Sequence, residues 1–423
     1  MAGDHNPGWV RTAWMAVLLL APVAFLNYLD RQMLASMKTS VMADITDIGM
    51  DENWGLMLGQ FKWVYAFASP LGGWIADRFS RRLTICGSLF LWSAVTWLTS
   101  RVETFEHLLW ARTLMGLSEA FYMPAALALI AAHHSGATRS RAIGAHQMGI
   151  YLGVIAGGFG GMVADSPYLG WRSAFTLCGV LGMVYSLPLL ALLRDKPADA
   201  IPHNAPTLSA SLPRLLLNGS FILLVLYFTL PALAGWIVRD WMPAILRDRY
   251  DISQGLAGVL ASLPWQTAAI VFALIGGILA DRLMARTERG RILVSALGMA
   301  LIVPAIFGMG VAGNLGMAVA ALVLFGMGWG MFDSNNMPIL CQIVPANLRA
   351  TGYGVMNLVS ISCGGLADWG FGKLRDQGAS KSLVFGTFSA LALVAGLLVL
   401  CIRPRSPVEL EQMAGSPLSP GSS

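Results

Sequence analysis

Apolar runs about twenty residues long recur from one end of the chain to the other. A run of that length forms a helix able to cross a hydrocarbon core of about 30 Å. The composition agrees: 56% of the 423 residues are hydrophobic and 12% are charged, against about 25% charged in soluble domains. A polytopic membrane protein follows, and nucleic-acid binding, a secreted disulfide scaffold and a soluble enzyme are excluded despite the net charge of +5. That excess reads as a topology signal carried in loops. Cys86, Cys178, Cys341, Cys363 and Cys401 show no CxxC spacing and read as small apolar fillers. The first run, opening at Trp14, leads into Asn27, Asp30 and Arg31 rather than a small-residue cleavage site, so it reads as a retained helix and not a signal peptide.

Set against the punctuating charges, the runs predict twelve spans: 14–37, 54–76, 83–99, 105–132, 143–163, 171–193, 220–245, 255–280, 292–311, 315–344, 352–371 and 382–402. Between the sixth and seventh the apolar period is lost and prolines accumulate, which reads as a linker. The expected organisation is an all-α membrane fold with one six-helix bundle over 1–194 and a second over 214–405. A cytoplasmic linker over 195–213 joins them, and a disordered cytoplasmic tail covers 406–423. An internal repeat supports two halves, since Gly72-Gly73-Trp74-Ile75-Ala76-Asp77-Arg78 reappears as Gly276-Gly277-Ile278-Leu279-Ala280-Asp281-Arg282, 204 positions later. With the N-terminus inside, sixteen Lys and Arg fall in cytoplasmic loops and nine, Arg239 among them, on the other face. The bias places both termini and the linker in the cytoplasm.

Three basic residues escape that count because they lie inside spans: Arg31, Lys62 and Arg112. Asp30, Glu119 and Asp333 are read as intramembrane carboxylates. A charge near the bilayer centre costs at least about 2.5 to 3.5 kcal/mol, so such groups face a partner or a water-filled path and mark a functional site. Helical spacing puts Asn27, Asp30 and Arg31 on one face, Lys62, Tyr65 and Ser69 on another, and Arg112, Gly116 and Glu119 on a third. In the first half these charges sum to +1, a sign complementary to an organic anion. Lys62 reads as an auxiliary cation that could instead pair with Asp30, and the whole set could serve only as helix-fixing ion pairs.

Gly73, Asp77 and Arg78, and in the second copy Gly277, Asp281 and Arg282, read as gating elements at cytoplasmic helix ends or as plain positive-inside anchors. Asn335, Asn336, Asn357 and Ser360 are candidate partners for substrate hydroxyls, and His146 and Gln147 are polar candidates on the fifth span. All six could equally join helices to one another.

These residues carry a family resemblance. Gly73 to Arg82 is similar to the G-x-L-x-D-R-x-G-R-R loop of the major facilitator superfamily, departing where Ser80 replaces glycine. Within that superfamily, Asn27-Tyr28-Leu29-Asp30-Arg31 resembles the N-Y-x-D-R of the anion:cation symporters, which include hexuronate and galactonate carriers. Phe61, Trp63, Tyr65, the Gly72-Gly73-Trp74 run, Arg112…Gly116…Glu119 and Trp241-Met242-Pro243 match further motifs of that family. Lys62 beside the tyrosine and His146-Gln147 before Gly149 depart from it. The resemblance implies proton coupling through Asp30 and Glu119, carboxylate binding by Arg31 and Arg112, and substrate contacts from Tyr65 and Asn357.

The resulting expectation is a proton-coupled symporter of a small organic anion, a hexuronate, aldonate or sialate. It would work as a monomer in a bacterial inner membrane, with protons and the lipid bilayer as its other partners and neither cofactor nor metal. The chain also resembles Spinster-type lysolipid transporters, which share N-Y-x-D-R and the Ser80-Arg81-Arg82 ending. A neutral-sugar/proton symporter is a third reading. A membrane enzyme would need a nucleophile with a base, or a metal cluster, and neither pattern is present in the sequence.

Overall fold

All twelve expected spans fall on helix in the computed structural model. It describes residues 7–134, 136–195, 208–406 and 409–410, excepting the side chains of 7–11, 76, 77, 136, 137, 140, 208–210 and 346. The helices are α1 Pro7–Ser36, α2 Lys38–Asp44, α3 Asp51–Arg78, α4 Arg81–Thr99, α5 Phe105–Glu119, α6 Tyr122–His133, α7 Gly136–Gly158, α8 Gly160–Ala164 and α9 Gly170–Leu192. After them come α10 Leu208–Leu216, α11 Gly219–Tyr250, α12 Gln254–Met284, α13 Gly290–Val311, α14 Leu315–Ile343, α15 Arg349–Asp376 and α16 Lys381–Cys401. No strand occurs among the described residues. Nine segments among them are long and apolar enough to cross a membrane, from Thr12–Ser36 to Lys381–Cys401. Helices α3, α4 and α15, which carry the other three expected spans, are less apolar than these nine. Most of the expected linker and tail, 196–207 and 411–423, lies outside the described residues.

Local chemistry sets the helix starts. Ser80, the residue that departs from the superfamily loop, is the N-cap of α4: its Oγ accepts from the Leu83 amide at 3.2 Å. Thr104 Oγ1 does the same for α5 and Asn314 Oδ1 for α14, at 3.2 and 2.9 Å. The span expected as one helix over 105–132 is broken between Glu119 and Tyr122. Pro124 supplies the reason, because it has no N–H to bond the Ala120 carbonyl one turn back.

The described residues form two compact units. One gathers the residues up to 195 with Trp236–Gln266 and Gly364–Ala379; the other gathers 208–235, Thr267–Cys363 and those from Ser380 onward. In the first unit α1 packs along α7, α4 along α9 and α3 along α5. The α1–α7 contact is close because Gly149, Gly153 and Gly157 form a stripe at four-residue spacing. A Cβ on Gly149 or Gly157 would stand 2.6 Å from the carbonyl oxygen of Ala21 or Leu29. That stripe fixes the depth of the α1 segment carrying Asn27 to Arg31. Leu20, Val23, Ile85, Leu89, Trp92 and Leu129 build the buried apolar core beside it. In the second unit α13 packs on α14 and α16. Large apolar side chains such as Phe67, Leu187 and Leu274 remain exposed, as lipid-facing helix sides require.

Candidate functional site

The first unit concentrates charge where a membrane helix should have none. Arg31 on α1 reaches Glu119 at the end of α5, with Nη2 and Nε donating to Oε2 at 2.5 and 2.8 Å. The Glu119 side chain is fully buried, and its Oε1 has no hydrogen-bond partner. Asp30 points elsewhere. Its Oδ2 accepts from Thr96 Oγ1 at 2.5 Å, while its Oδ1 and both polar atoms of Asn27 are buried without partners.

Lys62 does not pair with Asp30. Its ammonium donates to Asp240 Oδ2 at 2.5 Å and to Asp368 Oδ2, and all three residues are buried. Trp241 Nε1 donates to the other oxygen of Asp368 at 3.2 Å, and the Trp236 ring faces the ammonium at 4.2 Å. Asp240 and Asp368 fall in the expected spans 220–245 and 352–371 without being among the intramembrane carboxylates read from the sequence, and Arg239 falls in the first of those spans although the loop count includes it. The structure places all three inside α11 or α15. Away from the ends of the membrane spans, the described part of this unit therefore holds four cations, Arg31, Lys62, Arg112 and Arg239, and four carboxylates, Asp30, Glu119, Asp240 and Asp368. The surplus of +1 over the first half of the chain stands, and Arg239, Asp240 and Asp368, which α11 and α15 add to this unit, bring its sum to a balance.

Aromatic rings stand between the cations. Phe61 lies 4.5 Å from the Arg112 guanidinium and 4.7 Å from that of Arg31, and Tyr28 lies 5.0 Å from Arg31 and 5.6 Å from Arg239. Trp236 then lies between Arg239, at 5.2 Å, and Lys62. Seven groups thus alternate, Arg112, Phe61, Arg31, Tyr28, Arg239, Trp236 and Lys62, so like charges are separated by the negative faces of rings. Tyr65 joins at 4.8 Å from Arg31. Gly116 permits the approach of α5 to α3, since a Cβ there would lie 2.6 Å from the Phe61 carbonyl oxygen. Among the described residues, neither Arg112 nor Arg239 has a carboxylate within 4.0 Å; Arg112 Nη1 meets only Met115 Sδ, at 3.4 Å.

His146 is engaged differently: its Nε2 lies 2.8 Å from Tyr122 Oη, which also donates to the Leu20 carbonyl at 3.1 Å. That bond ties α1, α6 and α7 together, and Gln147 is half-buried beside it. In the second unit Asn335 Nδ2 donates to the Met331 carbonyl of its own helix at 2.9 Å. Asn336 is buried with neither polar side-chain atom bonded, Ser360 is buried and Asn357 half-buried.

At the repeated glycine motif, the close approach belongs to Gly72 and Gly276 rather than Gly73 and Gly277. A Cβ on Gly72 would meet the Ala120 carbonyl oxygen at 2.6 Å, and one on Gly276 the Met331 Cα at 3.0 Å. A Cβ on Gly277 would meet nothing within 4 Å beyond its own helix backbone. Arg78 lies over Trp74 at 4.3 Å. Asp281 accepts from Arg291 at 3.2 Å and is exposed, as is Arg282. The Asp77 side chain lies outside the described residues.

The chain matches the Major Facilitator Superfamily over residues 20–367. It is 30% identical over 310 residues to an MFS-type efflux pump of Mycolicibacterium smegmatis, covering 72% of this chain and 70% of the pump. It is 30% identical to the probable anion transporter 4, chloroplastic, of Oryza sativa over 68% of this chain, and 29% identical to protein spinster homolog 1 of Homo sapiens over 69%. The match spans 51% and 59% of those two relatives. Among solved structures, a bacterial homologue of the human lysosomal transporter Spinster, inward-facing and unoccupied, superposes with a TM-score of 0.77. The identity is 20%, over 96% of this chain and all of the other.

Proposed function

The chain belongs to the Major Facilitator Superfamily of transporters, and we propose that it carries out proton-coupled symport of a small organic anion, a sugar acid such as a hexuronate, aldonate or sialate. The observation that carries this reading is the charge balance of the first unit, four cations against four carboxylates. An anion entering a balanced buried cluster leaves one uncompensated negative charge. A proton taken up by one of the four carboxylates restores the balance. Arg112, which has no carboxylate partner, and Arg31, which an arriving anion can draw from Glu119, bind the carboxylate, with Tyr65 beside them. Glu119 and Asp30 carry the proton. Asn335, Asn336, Asn357 and Ser360 bind hydroxyl groups, since an unpaired buried partner costs about 1 to 3 kcal/mol and so discriminates between ligands. The rice relative named as an anion transporter supports the substrate class.

Lysolipid transport is the second reading, favoured by the likeness to the human Spinster homologue. The buried amides of Asn335 and Asn336 weigh against it, because an acyl chain offers them no partner. A thermal-shift screen of sugar acids, neutral sugars and lysolipids separates the readings, as a ligand of the folded state raises its apparent stability. In the same assay Arg112→Lys is expected to lose most sugar-acid affinity although it keeps the charge, because lysine lacks the guanidinium fork. Undiminished affinity in a folded Arg112→Lys protein would remove Arg112 from the site, and a preference for lysolipids would reverse the ranking.

Two bundles in the plasma membrane with both termini and the joining segment cytoplasmic complete the proposal, supported by the positive-inside count. Asn204→Cys in a cysteine-free background is then expected to stay unlabelled when intact cells meet an impermeant thiol reagent, and to react once they are opened. Labelling of intact cells would invert the topology.

A further inference from the structure

Arg239 counts in the charge balance above but has no binding role in that reading. It stands on α11, eleven residues before the end of that helix at Tyr250, inside a span rather than at its rim. Its backbone is tied down, as its carbonyl accepts from Gln32 Nε2 at 3.1 Å. Its side chain is not tied in the same way. The neighbouring Asp240 is held by Lys62, Nε of Arg239 is buried without a hydrogen-bond partner, and among the described residues the guanidinium lies against the rings of Tyr28 and Trp236 with no carboxylate within 4.0 Å.

A charge so placed is costly in a membrane span. Ring faces offset part of that cost. A carboxylate would offset the rest through charge-assisted hydrogen bonds. The Tyr28 ring carries Arg31 as well as Arg239, so an anion that draws Arg31 from Glu119 arrives at the same ring that Arg239 occupies. Of the other cations, Lys62 is fully engaged by two carboxylates. We propose that Arg239 is a substrate-binding residue, a guanidinium from the second half of the chain that binds the carboxylate of the transported anion in the role that Lys62 was expected to fill. The inference rests on the organic-anion reading.

The test uses the purified full-length protein with D-glucuronate and its neutral amide, D-glucuronamide, as probes. Wild type is expected to bind the acid, and Arg239→Gln to bind it about tenfold or more weakly, the loss of one charge-assisted bond, with affinity for the amide unchanged. Arg239→Lys should recover part of the loss, because it restores charge without the fork. A second readout needs no ligand. Relieved of a half-buried charge whose Nε is buried without a hydrogen-bond partner, Arg239→Gln and Arg239→Met should melt at or above the wild-type temperature when unliganded. A fall of several degrees would make Arg239 a structural residue and overturn the proposal. Equal glucuronate affinity in wild type and Arg239→Gln would overturn it alone and leave the anion reading standing. Failure of the wild type to bind glucuronate would overturn both.

Discussion

Glu119→Gln is expected to exchange substrate across a proteoliposome membrane and to fail to accumulate it. One pH unit corresponds to 1.36 kcal/mol per proton, so a symporter moving one proton per anion concentrates it up to about tenfold for each unit imposed. The variant is expected to equilibrate at a ratio of about one. The geometry gives the reason. Both Arg31 donors converge on one oxygen of Glu119, and its other oxygen is buried without a partner. Arg31 can therefore serve Glu119 or a substrate carboxylate, and a proton on Glu119 releases it to the substrate. Glutamine imitates the protonated acid permanently, so binding and exchange survive while the link to the gradient is lost. If Glu119→Gln concentrates substrate as the wild type does, coupling passes to Asp30.

Lys62→Met is expected to be the most destabilising single change in the first unit, by about 3 to 5 kcal/mol, the range for removing one partner of a buried ion pair. It leaves Asp240 and Asp368 facing each other in a buried site, with a single indole N–H on Asp368 as the remaining donor to the pair. Detergent-purified Lys62→Met should melt well below wild type or elute as aggregate. Adding Asp240→Asn and Asp368→Asn should recover much of the loss, because the three groups act as one network and their effects do not add. A single variant that melts with the wild type would mean that the ammonium does little for the fold.

The difference between Lys62 and Glu119 also marks what the sequence made legible. Helical spacing placed Glu119 and Arg112 on one face of one span, and the N-Y-x-D-R pattern singled out Arg31; these are local signals. The partners of Lys62 are 178 and 306 residues away, and no spacing rule reaches that far. Asp368 interrupts its apolar run by one residue and Asp240 with Arg239 by two, which a twenty-residue window absorbs. Arg239 falls inside the expected span 220–245 although the loop count takes it for the outer face, and α11 carries it eleven residues short of Tyr250. The spans were legible because hydrocarbon thickness sets their length. The break after Glu119 was written in Pro124 but hidden by the apolar residues on both sides. The glycine motif was seen, yet which glycine touches a neighbouring helix depends on rotation about the helix axis, which a motif does not encode.

That break has a mechanical meaning. Glu119 is the last residue of α5, and α6 starts three positions later, past an Ala120 carbonyl that the proline leaves without its usual helical partner. The proposed proton acceptor therefore rides on a joint rather than on a stiff rod. When Arg31 grips or releases it, the pull falls where the segment has a missing hydrogen bond and bends at least cost. The same pull applied mid-rod would be resisted by intact hydrogen bonds on both sides.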